Sequence, residues 1–223
     1  MADVKTATGV EAKVTDSRPP VEKYKNLLLG VLGVLTLGIA GYFYYDYTLE
    51  ESNKEAQNEI YPAVYFFEQD SLDKALKGDG KVLGLLDIAE KYSGTKTGKL
   101  ANFYTGVIYL KQAKYEEAIN HLSEFSSNDY LLQARAYALT GDAYMEMEKY
   151  DDAVSFYKKA ADYKANEQFT PSYLMKLALA YETLKDNKNA SDTYDVILTK
   201  YPKSQEINDA KKYKARVDAL ATE

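Results

Sequence analysis

Three stretches of this chain repeat one pattern and decide its fold: GVIYLKQAKYEEAINHL (residues 106–122), GDAYMEMEKYDDAVSFY (141–157) and ALAYETLKDNKNASDTY (178–194). Each copy starts with a small residue, has a tyrosine three positions later and an alanine twelve positions after the start. The copies begin 35 and 37 residues apart. Apolar residues at this spacing predict two amphipathic helices joined by a short polar turn in each copy. One such unit cannot bury its apolar face alone, so the copies are expected to stack on one another.

The positions that the copies share have a physical role in such a stack. The small first residue (Gly106, Gly141 or Ala178) lets the second helix of the unit cross closely, because it has little or no side chain. The large residue four positions after the shared alanine fills the groove to the next unit. This pattern resembles the tetratricopeptide repeat, with two departures. Asn102 stands where a bulky residue is usual, and a proline that closes a unit occurs only at Pro202.

The resemblance implies an all-α fold in which the repeats form a solenoid. An earlier, degenerate unit is indicated because IAEKYS at 88–93 matches ILTKYP at 197–202. After the last repeat, apolar residues at helical spacing in an otherwise polar segment suit a helix that closes the stack. The expected boundaries are a half-unit at 83–98, repeats at 99–133, 134–170 and 171–204, and a capping helix at 205–223.

An uncharged run of 20 residues precedes the repeats: NLLLGVLGVLTLGIAGYFYY, residues 26–45. As a helix this run would be about 30 Å long, which matches the hydrocarbon core of a bilayer. Its last four residues are aromatic, which is typical of a segment that ends in the headgroup layer. We therefore predict a transmembrane helix at residues 26–45.

Two other interpretations of this run remain open. The first is a cleaved signal peptide, for which Gly38-Ile39-Ala40 would supply the small residues of a cleavage site. The long preceding tail and the continuation of the run beyond Ala40 count against it. The second is a buried core helix, which is disfavoured because a uniformly apolar helix has no polar face to show to water.

The charges that flank the run predict its orientation. Basic residues precede it and acidic residues dominate the segment after it: Lys13, Arg18, Lys23 and Lys25 before, and Asp46, Glu50 and Glu51 after. The positive-inside rule then puts a tail at residues 1–25 in the cytoplasm and the repeat domain across the membrane. In a bacterium this is a single-pass inner-membrane protein with a periplasmic domain. Residues 46–82 are expected to form a juxtamembrane helix that kinks or restarts near Pro62 and ends at residues 78–80.

One side of the predicted membrane helix carries small side chains. Gly33, Thr36 and Ala40 share this side, and small residues let transmembrane helices approach closely. The side is therefore a candidate packing face for a membrane partner. The alternative, that the glycines are tolerated filler, is equally open because the run contains no GxxxG pattern.

The composition excludes several classes of chemistry. The chain has 28 basic and 34 acidic residues, a net charge of −6, which argues against a nucleic-acid-binding protein. It has no cysteine and one histidine, which excludes thiolate sites and histidine-rich metal centres. We expect the histidine, His121, to be an outward-facing surface residue. Asp70, Asp73 and Asp79 lack the ligand spacing of a calcium loop and are expected to belong to a helix-ending turn. No catalytic residue, metal or cofactor is predicted.

A binding groove remains as the candidate functional site. In the repeat family that this pattern resembles, the first helix of each unit lines the inner surface. The residues predicted there are Arg135, Ala138, Asp142, Met145 and Glu146 from the second repeat and Lys176, Leu179 and Glu182 from the third. Repeats that clamp a peptide C-terminus place Asn and Lys at positions where this chain has residues such as Val107 and Leu139. An extended or helical segment of a partner is therefore expected instead.

The order of tail, span and small repeat domain resembles the YfgM-type ancillary subunits of the SecYEG translocon, and residues 75–119 look like the version found in Bacteroidota. The resemblance implies a chaperone-like protein-interaction adaptor whose partners are SecYEG or periplasmic chaperones, with no nucleic acid and no small-molecule substrate. The alternative is a scaffold subunit of another envelope machine, for outer-membrane assembly, secretion or gliding. An enzyme is not expected, because the spacing reveals no cluster of titratable groups.

Overall fold

The computed structural model describes residues 24–220, and these contain helices and no strand, which confirms the all-α prediction for this part of the chain. Residues 1–23 of the predicted tail at 1–25, and residues 221–223 of the predicted capping segment, lie outside the described residues. Ten helices occupy the described part: α1 (Lys25–Glu68), α2 (Leu72–Lys77), α3 (Leu85–Lys91), α4 (Lys96–Lys111), α5 (Tyr115–Glu124), α6 (Tyr130–Glu146), α7 (Tyr150–Asp162), α8 (Thr170–Thr183), α9 (Asn187–Lys200) and α10 (Ile207–Leu220).

The chain forms two compact units, which divide between Thr48 and Leu49. In the first unit α1 carries the uncharged run, and its large apolar side chains are exposed, as with Val34 and Leu37. The most apolar 18-residue window of α1 has a mean hydropathy of 2.0 and buries none of its residues. Among residues 24–220, α1 is the one helix that is long and apolar enough to cross a membrane.

The helix α1 continues through Pro62 to Glu68, so the predicted restart near the proline is wrong. Burial explains the continuity, because Ile60 and Ala63 on either side of the proline belong to the core of the second unit. This packing offsets the backbone hydrogen bond that proline cannot donate. The chain leaves the helix at Asp70 instead, where φ is 55°.

Residues 46–82 are therefore not one helix, because a second helix, α2, follows the break. It ends at Gly78, which has a φ of 75°. A Cβ on Gly78 would lie 2.2 Å from the carbonyl oxygen of Val82, so only glycine fits this close approach. The Oδ1 atom of Asp79 then accepts hydrogen bonds from the amides of Lys81 and Val82, at 3.0 and 3.2 Å. These contacts confirm the predicted helix-ending turn.

Three helix pairs, α4–α5, α6–α7 and α8–α9, coincide with the three sequence copies. In the second pair a Cβ on Gly141 would lie 2.7 Å from the ring of Tyr157, so the two helices cross as closely as the pattern predicts. The shared alanines of the second helices, Ala118, Ala153 and Ala190, are fully buried.

The turn inside each pair has the same backbone geometry in all three copies. One residue takes a left-handed φ between 56° and 59°, although none of the three is glycine: Ala113, Glu148 and Lys185. The next residue donates its amide to the carbonyl of the repeat tyrosine at 2.9 Å, from Lys114 to Tyr109, Lys149 to Tyr144 and Asp186 to Tyr181. This is a Schellman-type helix end. The tyrosine carbonyl therefore accepts the bond that closes the first helix, which ends two residues later in each copy.

The segment before the first repeat packs on α4. Ala56 of α1 and Ile88 of α3 share a core cluster with Ile108 of α4. The buried Asn53 of α1 also caps α4, because its Oδ1 atom accepts hydrogen bonds from the amide and the hydroxyl of Thr97, each 3.0 Å long. One of the amides that every helix leaves unpaired at its start is thereby satisfied.

The last helix, α10, packs on α9 at the other end of the repeats. Ala210 and Val217 are fully buried there, and the ring of Tyr213 lies against Tyr194 with the centroids 6.1 Å apart. The side of α10 that faces away from the repeats is exposed and includes the charged residue Lys211.

Candidate partner-binding groove

The predicted groove residues come from two helices that are the first helices of successive repeats, α6 and α8. Arg135, Ala138, Asp142, Met145 and Glu146 lie on α6, and Lys176, Leu179 and Glu182 lie on α8. A direct contact joins the two helices, because the Nζ atom of Lys176 is 2.7 Å from the Oδ1 atom of Asp142.

The carboxylate of Asp142 connects three helices. Besides pairing with Lys176, it accepts a hydrogen bond of 2.7 Å from the hydroxyl of Tyr157 on α7. Burial raises the pKa of Tyr157, and the neighbouring Asp142 carboxylate raises it further. Both effects favour the protonated hydroxyl, which is the form that donates to Asp142.

Glu182 of the third repeat makes a similar set of contacts. It accepts a hydrogen bond of 2.6 Å from the hydroxyl of Tyr194 on α9, and it forms an ion pair with Arg216 on α10. Burial raises the pKa of Tyr194, and the hydrogen bond to Glu182 raises it further. We call the two sets, Tyr157–Asp142–Lys176 and Tyr194–Glu182–Arg216, the polar triads.

An apolar side chain stands exposed between the two polar triads. Leu179 is 52% exposed and follows Lys176 by three residues on α8, with Glu182 three residues further on. Arg135 and Glu146 are also exposed on α6. The surface thus combines an apolar contact with polar groups held in place, which is the usual composition of a protein interface.

Two of the predicted groove residues are less accessible. Ala138 is 4% exposed and belongs to the core cluster formed by α6 to α10, so its side chain is not available to a partner. Met145 is half-buried and packs against the same cluster. Both side chains pack into the shared core, and repeat position alone does not reveal this.

The first repeat has no triad, because Leu122 occupies the place of the triad tyrosines. Part of α4 is instead covered by the upstream segment. Phe67 of α1 lies edge-on against Tyr104 with ring centroids 5.3 Å apart, and the Nζ atom of Lys111 lies 2.9 Å from the Oδ1 atom of Asp70. These contacts cover the part of α4 around Tyr104 and Lys111.

Sequence reasoning omits three triad residues from the site: Tyr157, Tyr194 and Arg216. It assigns the two tyrosines to packing alone and places Arg216 in the cap. A signal was nevertheless available in the spacing. The basic residue of each triad follows its carboxylate by 34 residues, a separation in sequence close to the length of one repeat.

His121 is not the plain surface residue that the sequence predicts. It is half-buried, with its Nδ1 atom 2.7 Å from the Oδ1 atom of Asn102 and its ring centroid 5.4 Å from that of Tyr109. Burial lowers its pKa, although the nearby Glu124 acts in the opposite direction. The contact gives Asn102 a role, because the polar residue that departs from the repeat pattern is the partner of the histidine.

The small-residue face of the membrane helix has no neighbour in the described part of its unit. A Cβ on Gly33 would meet no atom within 4 Å, and the hydroxyl of Thr36 hydrogen-bonds to the carbonyl of Gly33 in the same helix at 2.9 Å. Ala40 is exposed. The role of this face in binding a membrane partner stays a prediction.

Metal-binding side chains do not cluster in the described chain. Among residues 24–220, no three His, Asp or Glu side chains come together in a group that could hold a metal ion.

Two family models match the region of the helix pairs. Both are described as the tetratricopeptide repeat, and they match residues 103–168 and 172–204. The chain contains tetratricopeptide repeats. Such repeats are protein-interaction modules and generally have no catalytic role. The repeats therefore indicate that this protein is a protein-interaction adaptor.

Proposed function

We propose that this protein is an accessory, chaperone-like subunit of the Sec protein translocon. It would be anchored in the bacterial inner membrane by residues 26–45, with its N-terminus in the cytoplasm and its repeats in the periplasm. The observation that carries the proposal is one chain with a helix able to span a membrane and tetratricopeptide repeats after it. The basic flank before the span and the likeness to YfgM-type subunits support the orientation and the partner.

The groove supplies a way to hold a partner without covalent chemistry. Leu179 offers an apolar contact, and the polar triads keep Lys176 and Glu182 in fixed positions beside it. Side chains that are already ordered lose little conformational entropy when a partner binds. The partner segment would lie across α6 and α8 as an extended chain or a helix.

The substitution Leu179→Asp tests the groove. In the full-length protein, purified from native membranes in mild detergent, we expect recovery of partner proteins to fall by about tenfold, because the variant puts a charge at the apolar contact. Asn120→Asp is the matched control, since Asn120 is exposed on α5, in the repeat that has no triad. Circular dichroism of both variants checks that the helices remain. Equal recovery with Leu179→Asp and with the native chain would contradict a role for the groove.

Crosslinking in native membranes tests the translocon itself. We expect a photoreactive residue in place of Leu179 to capture a Sec component or a periplasmic chaperone. Capture of a different envelope complex would replace this proposal with the scaffold alternative.

A further inference from the structure

A cleft of about 640 Å³ opens beside the start of α4. Neither the residues of the polar triads nor Leu179 line it. Its floor is apolar and consists of Leu100 of α4, Phe125 of the α5–α6 loop and Leu132 of α6. The cleft therefore lies between the first helices of the first and second repeats. Its volume is enough for a large side chain with the adjoining backbone.

Hydrogen bonds from the second helix pair hold the rim of the cleft. The amide of Ser127 donates to the side-chain oxygen of Gln133 at 2.7 Å, and the hydroxyl of Tyr163 donates to the carbonyl of Ser127 at 2.9 Å. Lys164 also donates from Nζ to the carbonyl of Asn128. A cleft that is already formed binds at a lower entropic cost than one that must be ordered.

The charge at the cleft is positive, although the chain as a whole has a net charge of −6. Lys96 and Lys99 line the cleft, and neither has an ion-pair partner among residues 24–220. The carboxylate that also lines it, Asp129, caps α6 by accepting hydrogen bonds from the amides of Leu131 and Leu132 at 2.9 and 2.8 Å. The lysines therefore remain available to a ligand, while the aspartate is engaged by the helix.

We infer that this cleft binds an internal segment of a partner protein in which an apolar side chain is flanked by Asp or Glu residues. The apolar side chain would cover Leu100, Phe125 and Leu132, and the carboxylates would pair with Lys96 and Lys99. The two lysines stand three residues apart on α4, about one helical turn, so they match two carboxylates better than the single one of a chain terminus. This inference rests on the proposed function as a protein adaptor.

The first test is a comparison of three labelled peptides. The full-length protein in mild detergent is titrated, at low salt, with a short fluorescent peptide that has Leu-Phe between two pairs of Glu. One comparison peptide replaces every Glu with Lys, and another replaces Leu-Phe with Ala-Ala. We expect both comparison peptides to bind at least about tenfold more weakly, and added salt to weaken the first peptide, because ion pairs contribute to binding.

Charge reversal in the cleft is the second test. The double variant Lys96→Glu, Lys99→Glu should lower the affinity for the acidic peptide by about tenfold or more. The matched control, Lys211→Glu with Lys212→Glu on the exposed side of α10, should bind as the native chain does. Lys96→Gln with Lys99→Gln, which should weaken binding less, serves if the reversal disturbs folding. No measurable binding of the acidic peptide, equal affinity for the Lys peptide, or unchanged binding by the Lys96 and Lys99 variants would overturn the inference.

The result separates this inference from the proposed function. If the acidic peptide fails to bind while recovery of partners from membranes still depends on Leu179, the inference about the cleft falls and the adaptor proposal stands. If the peptide binds as expected but no Sec component is recovered, the cleft stands and the translocon proposal falls.

Discussion

Replacing a tightly packed glycine with alanine adds one methyl group and probes the packing of this protein. A Cβ on Gly98 would lie 2.1 Å from the carbonyl oxygen of Tyr92, which belongs to the backbone before α4. A Cβ on Gly141 would instead approach the ring of Tyr157, a side chain that has some freedom to shift. We expect Gly98→Ala to lower the free energy of unfolding by about 3 kcal/mol and Gly141→Ala by about 1–2 kcal/mol.

Thermal unfolding of the two full-length variants in mild detergent, followed by circular dichroism, measures this difference. The third copy is a natural control for the second, because Ala178 already carries the extra methyl group at the same repeat position. A smaller effect of Gly98→Ala than of Gly141→Ala would show that the backbone contact is not the tighter one.

His121 should make stability depend on pH. Burial lowers its pKa from the ordinary value of 6.5, so the unfolded chain takes up a proton before the folded chain does. The stabilisation from the neutral ring is therefore complete above pH 6.5 and is lost as the pH falls through that value toward the folded-state pKa. His121→Gln removes the titrating group. Its unfolding midpoint should change less than that of the native chain between pH 7.5 and pH 5.5, and equal slopes would contradict this account.

At the scale of the helical elements, the three identical turns predict a stabilising substitution. Ala113 holds a left-handed φ of 56° at an exposed position, where an alanine side chain is strained and glycine is not. Ala113→Gly should raise the free energy of unfolding by about 0.5–1 kcal/mol. The matched control is Ala215→Gly in the exposed interior of α10, which should lower it by about 1 kcal/mol. Urea unfolding measures both changes. If the two substitutions changed the free energy of unfolding in the same direction, the result would contradict the left-handed turn at Ala113.

The helix pairs were predictable from the sequence because three copies carry small and large residues at the same spacing. The conformation of the turns was not, since Ala113, Glu148 and Lys185 share no side-chain property that favours a left-handed residue. The proline at position 62 misleads for a similar reason. Its local cost is visible in the sequence, whereas the burial of Ile60 and Ala63 that offsets this cost appears only in the folded chain.

The candidate groove was predictable only in part. Repeat position identifies the helices α6 and α8. It includes Asp142 and Lys176, which form an ion pair, and Glu182, which forms an ion pair with Arg216. Repeat position does not tell which of these side chains are accessible. Leu179 is exposed and Ala138 is buried, although both lie on the first helix of a repeat. The bonds from Tyr157 and Tyr194 to these carboxylates depend on side-chain direction, which the spacing of residues does not give.

At the scale of the whole molecule, the two ends of the repeat domain are finished differently. Before the first repeat, Asn53 of α1 reaches α4 and accepts a hydrogen bond from the amide of Thr97 in its first turn. After the last repeat, α10 covers Tyr194 and Ile197, which are fully buried, and turns a polar side outward. Helices outside the three repeats therefore cover both ends of the repeat stack.

We propose that this chain is an accessory subunit of the Sec translocon. Affinity purification of the full-length protein from native membranes in mild detergent, followed by mass spectrometry, tests the claim most directly, with the Leu179→Asp protein as the comparison. We expect SecY and its neighbours to be recovered with the native chain and to be depleted about tenfold with Leu179→Asp. Recovery of a different envelope complex, with no Sec component in either sample, would contradict it.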